Sequence, residues 1–192
     1  MKAILLAGGK GTRLRPLTSN MPKPIVPILN RPFLLYQLDL LRRVGSVDEV
    51  ILSLNYQPDR IEELIGSLPD LGLKIRYLVE PQPMGTAGAI RFALDFLDDT
   101  AIIFNGDVLA ELDLKAVLEF HRTRGANATI VLKPVDNPSA YGLVEVDQDG
   151  NVKRFIEKPG NQKLASNTIL SLIHISEPTR PLYISYAVFC LK

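Results

Sequence analysis

The sequence predicts an α/β chain organised around one doubly wound, mostly parallel sheet. Three observations lead there. Apolar runs of strand length alternate with amphipathic stretches of helical period from the N-terminus to about Val135. Glycines or an Asn-Gly-Asp turn stand where two of those strands end. At 192 residues and 46% hydrophobic, the chain can bury one real core, so a single domain is expected. Repeated strand–helix–strand units imply parallel strands joined by right-handed crossovers.

Lys2–Leu6 reads as a buried first strand running straight into Gly8-Gly9. Pro32 opens a helical pattern over Leu34–Arg43, closed by Gly45. Glu49–Leu54 is the next strand, and Asp59–Gly66 a short helix with Pro58 near its start. Leu73–Val79 is a strand with Ile75, Tyr77 and Val79 on one face. Ala87–Leu97 is a helix, with Ile90, Ala93, Leu94 and Leu97 at helical spacing. Ala101–Phe104 is a fully apolar strand entering Asn105-Gly106-Asp107. Asp113–Arg124 is helical, with Asp113 as its N-cap, Gly125 as its stop and His121 read as a surface residue. Ala128–Val135 is a further strand, and Leu143–Val146 with Val152–Ile156 form a hairpin around Asp149-Gly150. No internal repeat or low-complexity tract occurs.

The formal net charge is +1 and no Lys/Arg-rich run stands out, which argues against nucleic acid or an anionic membrane surface as a partner. No apolar run is long enough to span a bilayer, and the first apolar stretch is too short for a signal-peptide core. Cys190 is the single cysteine, so no disulfide framework or cysteine metal site is expected; this usage suits a cytoplasmic enzyme.

In such sheets ligands sit beyond the carboxyl ends of the strands, where both Gly8-Gly9 and Asn105-Gly106-Asp107 fall. Residues Ala7–Thr18, AGGKGTRLRPLT, follow the first strand directly. Gly8, Gly9 and Gly11 let backbone N–H groups close on phosphate oxygens. Thr12 belongs to the same loop, Arg13 can fork two phosphate oxygens, and Lys23 supplies a point charge. Pro22, Pro24 and Pro27 stiffen the segment that carries Lys23. A P-loop is excluded because Gly9-Lys10 is followed by Gly11, and a dinucleotide fingerprint because Leu14 stands where its third glycine belongs. Read as glycines alone, the segment is equally a plain strand-to-helix turn.

AGGKGTRLRPLT followed by Pro22-Lys23-Pro24 resembles the signature of the sugar-phosphate nucleotidyltransferases, or nucleotide-sugar pyrophosphorylases. EPQPMGTAGA (Glu80–Ala89), Asn105-Gly106-Asp107, Tyr141-Gly142 and Glu157-Lys158-Pro159 resemble the same family, in the expected order. Within it the likeness is greatest to guanylyltransferases acting on mannose 1-phosphate. The resemblance covers Met1 to about Ile169. It implies a Rossmann-like, nucleotide-diphospho-sugar transferase fold, here incomplete at the C-terminus. It also implies transfer of a nucleoside monophosphate from an NTP to a sugar 1-phosphate, with an NDP-sugar and pyrophosphate as products.

The same resemblance places Glu80 and Gly85 against the nucleobase, with Leu6 and Gly8 nearby. A carboxylate can accept two hydrogen bonds from guanine, which favours GTP; thymine and uracil suit an amide better. Glu80 as a cap for the loop before the Ala87 helix stays open, as do relatives using UTP or dTTP. Asp107 is implied as one of two aspartates holding Mg²⁺, the second lying past Ile169; alone, it is also a common turn residue. Glu157 is implied to take sugar hydroxyls, Lys158 the sugar phosphate, and Gly142 to approach the sugar through its backbone, although an exposed Glu-Lys pair is ordinarily a solvated edge. No general base is expected, because a phosphate monoester is largely ionised at neutral pH. A regulatory relative that only senses nucleotide sugars is a further alternative, and homo-oligomerisation of the parent is left open.

The last segment differs in kind. Leu170–Arg180, LSLIHISEPTR, and Ile184–Leu191, ISYAVFCL, read as one-frame translations of a sequencing-library adapter, with Pro181, Leu182 and Tyr183 spanning its index. The expected division is residues 1–169 as the N-terminal part of a nucleotidyltransferase catalytic domain, and residues 170–192 as a non-native tail. On that reading His174 and Cys190 carry no functional meaning, and the chain as it stands is inactive.

Overall fold

The structure, a computed structural model, describes residues 1–109, 111–135, 142–156, 168–176 and 186–190. It divides into two compact units, Met1–Ala110 and Glu111–Lys192.

The first unit is a parallel α/β sheet. Strand β1 (Lys2–Leu6) is followed by a small hairpin, β2 (Pro27–Ile28) and β3 (Arg31–Pro32), and by helix α1 (Phe33–Val44). Then come β4 (Glu49–Leu54), α2 (Pro58–Gly66), β5 (Lys74–Val79), α3 (Gly85–Ala93) and β6 (Ala101–Asn105). The main strands lie in the order β6-β1-β4-β5, all parallel, with Leu6 opposite both Ser53 and Asn105. Every residue of β4 is buried, as expected of a central strand covered on both faces. Ile4, Ile51, Leu78, Ala93 and Ile103 form one core cluster, against which Leu6, Ile90, Phe92, Phe96 and Leu97 pack. The charge buried in β4, Glu49, is answered by Arg76 Nε at 2.7 Å, with Lys74 and Lys2 nearby.

Two details depart from the sequence reading. Helix α3 starts at Gly85 rather than Ala87, and tightens into a 3₁₀ turn over Leu94–Phe96. The β2–β3 hairpin was not anticipated, because its turn residues Leu29 and Asn30 take positive φ without a glycine to signal it.

In the second unit α4 (Leu114–Arg124) is capped as expected: an Asp113 carboxylate oxygen accepts the backbone N–H groups of Lys115 and Ala116 at 3.0 and 3.2 Å. Gly125 closes it at φ 55. Strand β7 (Ala128–Pro134) is joined antiparallel by β10 (Thr168–Ser176) and parallel by β11 (Tyr186–Cys190). Strands β8 (Leu143–Val146) and β9 (Val152–Ile156) form the expected hairpin. Residues 170–176 and 186–190, set apart by sequence, thus contribute strand backbone.

His121 corrects the sequence reading. It is buried at 1% exposure, and its Nδ1 lies 2.8 Å from the Thr129 hydroxyl. Leu114, Val117, Leu118 and His121 are the buried residues of α4 at helical spacing, so the histidine continues the apolar stripe.

The β8–β9 turn carries a pH dependence. Asn151, through its backbone N–H and then its side chain, holds the Asp147 carboxyl below the usual carboxylate range. Arg154 does the same for Glu145 through a two-pronged pair at 2.7 and 2.9 Å. Depressed folded-state values mean a contribution present above the ordinary carboxylate range and lost as pH falls through the folded values. Asp147→Ala is therefore expected to lower the melting temperature at pH 7 and to leave a smaller drop between pH 7 and pH 3 than wild type shows. An unchanged acid limb would refute this.

Candidate functional site

The candidate cleft lies in the first unit, at the carboxyl ends of β1 and β6. A cleft of about 370 Å³ is lined by the loop after β1, by Lys23 and Pro24, by Glu80, by the start of α3 and by Asn105, Gly106 and Asp107. Of the residues singled out by sequence, Leu6, Gly8, Gly9, Gly11, Thr12, Arg13, Lys23, Glu80, Gly85 and Asp107 all line it. Gly142 is exposed just before β8 in the second unit; Glu157 and Lys158 lie outside the described residues.

The loop after β1 is ordered by few bonds. Ala7 N–H is tied to Ser53 O at 2.8 Å. Past it, among the described residues, no protein acceptor takes the N–H of Gly8, Gly9 or Gly11. Such donors suit an anion with several oxygens. Gly11 then enters a 3₁₀ turn over Thr12–Leu14 at φ +62, and its carbonyl accepts the buried Thr18 hydroxyl at 2.7 Å. A Cβ on Gly11 would lie 2.9 Å from Lys23 Cβ and 3.1 Å from Thr18 Cγ2. Glycine here is a matter of both backbone angle and space.

Lys23 is set by its flanks. Pro22 and Pro24 are both buried, and a 3₁₀ turn over Lys23–Ile25 fixes the backbone between them. The Lys23 ammonium donates to Asp107 Oδ2 at 2.7 Å. The proposed phosphate cation and the proposed metal carboxylate thus neutralise one another, both partly exposed at 29% and 41%. Arg13 is exposed on the same cleft and has no carboxylate partner among the described residues.

Glu80 is 7% exposed. Its Oε1 accepts the Ser53 hydroxyl at 2.8 Å and its Oε2 accepts the Met84 N–H at 3.0 Å. The Met84 bond is the loop-capping contact raised as an alternative from sequence, since Met84 immediately precedes α3. Each oxygen retains a further lone pair, so capping and ligand binding are compatible. A Cβ on Gly8 would lie 3.3 Å from Oε1, which places this carboxylate beside the start of the glycine loop.

Three contributors escaped the sequence reading. Ser53 orients Glu80, and Asn55 Nδ2 donates to the Glu80 carbonyl at 3.1 Å. Gln37, on α1, bonds the turn that bears Asp107. For Ser53 and Gln37 the signal was a polar side chain in an otherwise apolar strand or helix face; Asn55, just past β4, carried none.

Comparison with known proteins shows the family to which this fold belongs. The profile of the nucleotidyl transferase family, described as "Nucleotidyl transferase", matches residues 2–187. Mannose-1-phosphate guanylyltransferase 1 of Arabidopsis thaliana is 43% identical over 188 residues, covering 93% of this chain and 50% of that protein. The chain spans about half the length of the curated relatives it matches. The crystal structure of HddC from Yersinia pseudotuberculosis complexed with GMP-PN is 31% identical, with a TM-score of 0.80, covering 100% of this chain and 90% of that one. UDP-glucose pyrophosphorylase complexed with UDP-glucose, 19% identical with a TM-score of 0.79, covers 92% of this chain and 76% of its own, and shares the fold. With a family match running from residue 2 to residue 187, the chain belongs to the nucleotidyl transferase family.

Proposed function

We propose that the complete protein transfers guanosine monophosphate from GTP to mannose 1-phosphate, giving GDP-mannose and pyrophosphate. The observation that carries this is the meeting, in one cleft, of unpaired loop N–H groups, Arg13, Lys23, Asp107 and a buried carboxylate, Glu80. The names of the 43%-identical plant relative and its neighbours support the choice of base and sugar.

The sugar phosphate is the nucleophile. Its second pKa is about 6, so it is largely dianionic at neutral pH and needs no general base. One of its oxygens attacks the α-phosphorus of GTP in line; the bond to the β-phosphate oxygen breaks and pyrophosphate leaves. The barrier is mainly repulsion between anions. The N–H groups of Gly8, Gly9 and Gly11 cradle the triphosphate together with Thr12, while Arg13 and Lys23 offset its charge. Glu80 takes the N1–H and exocyclic amine of guanine on its remaining lone pairs, with Leu6 and Gly85 flanking the base.

Asp107 fits a divalent cation, for which we propose Mg²⁺: a single carboxylate at the cleft mouth suits an ion that completes its shell with phosphate oxygens and water. Among the described residues no group of three or more His, Cys, Asp or Glu side chains could hold a metal ion. When bound, the ion supplies further charge neutralisation at the phosphates. Lys23 must leave Asp107 for the nucleotide, so ion and nucleotide are expected to assist one another in parting the pair. On the sugar side we assign Glu157 to the hydroxyls, Lys158 to the phosphate and the Gly142 backbone to the ring. We also place the enzyme in the cytoplasm.

The test is calorimetric titration of the complete gene product with GTP, UTP and dTTP in the presence of Mg²⁺, followed by a pyrophosphate-release assay with mannose 1-phosphate. GTP is expected to bind tightest and to turn over. Preference for UTP or dTTP would overturn the base assignment. Binding without Mg²⁺-dependent pyrophosphate release would favour a nucleotide-sugar sensor.

A further inference from the structure

Gln37 is the polar side chain most at odds with its surroundings in the first unit. It lies on the apolar stripe of α1 with Leu34, Leu38 and Leu41, and is 2% exposed. Its Nε2 donates to the carbonyl of Asn105 at 2.9 Å and to that of Val108 at 2.8 Å. Those two residues bracket Gly106 and Asp107. Its Oε1 is buried and has no hydrogen-bond partner among the described residues. An apolar side chain of the same volume would fill this position without burying an unanswered acceptor.

Besides the Lys23–Asp107 ion pair, two backbone hydrogen bonds tie the Asn105–Val108 turn. Gly106 N–H donates to Leu6 O at 2.8 Å, and Val108 N–H to Asn105 O at 3.2 Å. The first docks the turn against β1 and the second closes it. Gln37 alone, among the described residues, anchors the turn to α1 by hydrogen bonds, and it does so on both sides of Asp107. Two donors on one planar amide fix the turn's rotation, and hence the direction in which the carboxylate leaves it.

We propose that Gln37 is a positioning residue, holding the Asp107 carboxylate where it meets Lys23 and, in the liganded protein, the divalent cation. This rests on the reading of the site given above. Gln37→Met keeps length and volume but removes both donors. In the complete protein it is expected to raise the Mg²⁺ concentration at half-maximal GTP binding by about tenfold, the range seen when a group that orients a metal ligand is lost. Direct titration with Mn²⁺ alone is expected to weaken in parallel. Leu38→Ala, a packing loss on the same helix, is expected to lower the melting temperature and leave the Mg²⁺ midpoint in place. If Gln37→Met does not fold, Gln37→Leu serves instead, being apolar like its stripe neighbours and likewise without donors. A wild-type Mg²⁺ midpoint in the Gln37 variant, whatever its melting temperature, would overturn the inference alone. Wild-type protein that binds no GTP at any Mg²⁺ concentration would overturn the reading of the site and this inference with it.

Discussion

Replacing Lys23 by alanine in the complete protein is expected to cut kcat/KM by at least about a hundredfold, as for loss of one charge contact made in the transition state. The effect does not run through unfolding. The Lys23–Asp107 pair is partly exposed on both sides, and such pairs contribute roughly 0–1 kcal/mol to stability. A melting temperature within a few degrees of wild type is therefore expected alongside the kinetic loss. A second signature follows from the 2.7 Å contact. The ammonium occupies the same oxygen that a cation would use. Lys23→Ala should bind a divalent cation alone more tightly than wild type, while binding the nucleotide more weakly. Arg13→Ala should share the kinetic loss without the gain in cation affinity, because among the described residues Arg13 has no carboxylate to release. Near-normal turnover in both variants would remove the two cations from the mechanism.

Gly106→Ala should destabilise the fold and disable the site together. A Cβ at this position would lie 2.5 Å from Leu6 O and 3.1 Å from Ala7 Cα. These are backbone atoms of β1 and of the residue after it, not the far end of a flexible side chain, so relief requires prising the end of β6 from β1. Overpacking of this kind costs about 1–3 kcal/mol and sometimes more, and the Gly106–Leu6 hydrogen bond would be strained with it. The next residue is Asp107, and a displacement of roughly 1 Å there is enough for about a hundredfold loss of rate. Chemical denaturation should show a lower midpoint with an unchanged slope. Gly66→Ala is the contrasting variant: nothing lies within 4 Å of its added Cβ, and it ends α2. Its stability should match or slightly exceed wild type, since alanine is favoured over glycine in helices by about 1 kcal/mol. Wild-type stability in Gly106→Ala would show that the two strand ends are less tightly joined than their geometry indicates.

Much of the first unit was legible in sequence because its elements are set locally. Strands β1 and β4 coincide with their predicted spans, and α1 opens at Pro32 and closes at Gly45 as the residue types require. The cleft was legible too, since glycines and an Asn-Gly-Asp turn stood at strand ends and the family signature is long. The misses have a common origin. A periodicity argument assigns a residue to a face but does not say what that face meets. His121 reads as surface because histidine often is, yet it packs against Thr129. Gln37 and Ser53 look like tolerated polar residues in apolar elements until β6 and β5 bring Asn105, Val108 and Glu80 within 2.9 Å of them.

The order of residues by itself determined the strand–helix alternation, the glycine loop after β1 and which residues line the cleft beyond it, because those depend on neighbours a few positions away. Tertiary structure alone decided that Lys23 and Asp107, 84 positions apart, neutralise one another, that Gly106 has no room for a methyl group, and that Glu80 is buried with both oxygens engaged. Contacts of that range are set by how the parallel strands align, which no local pattern encodes.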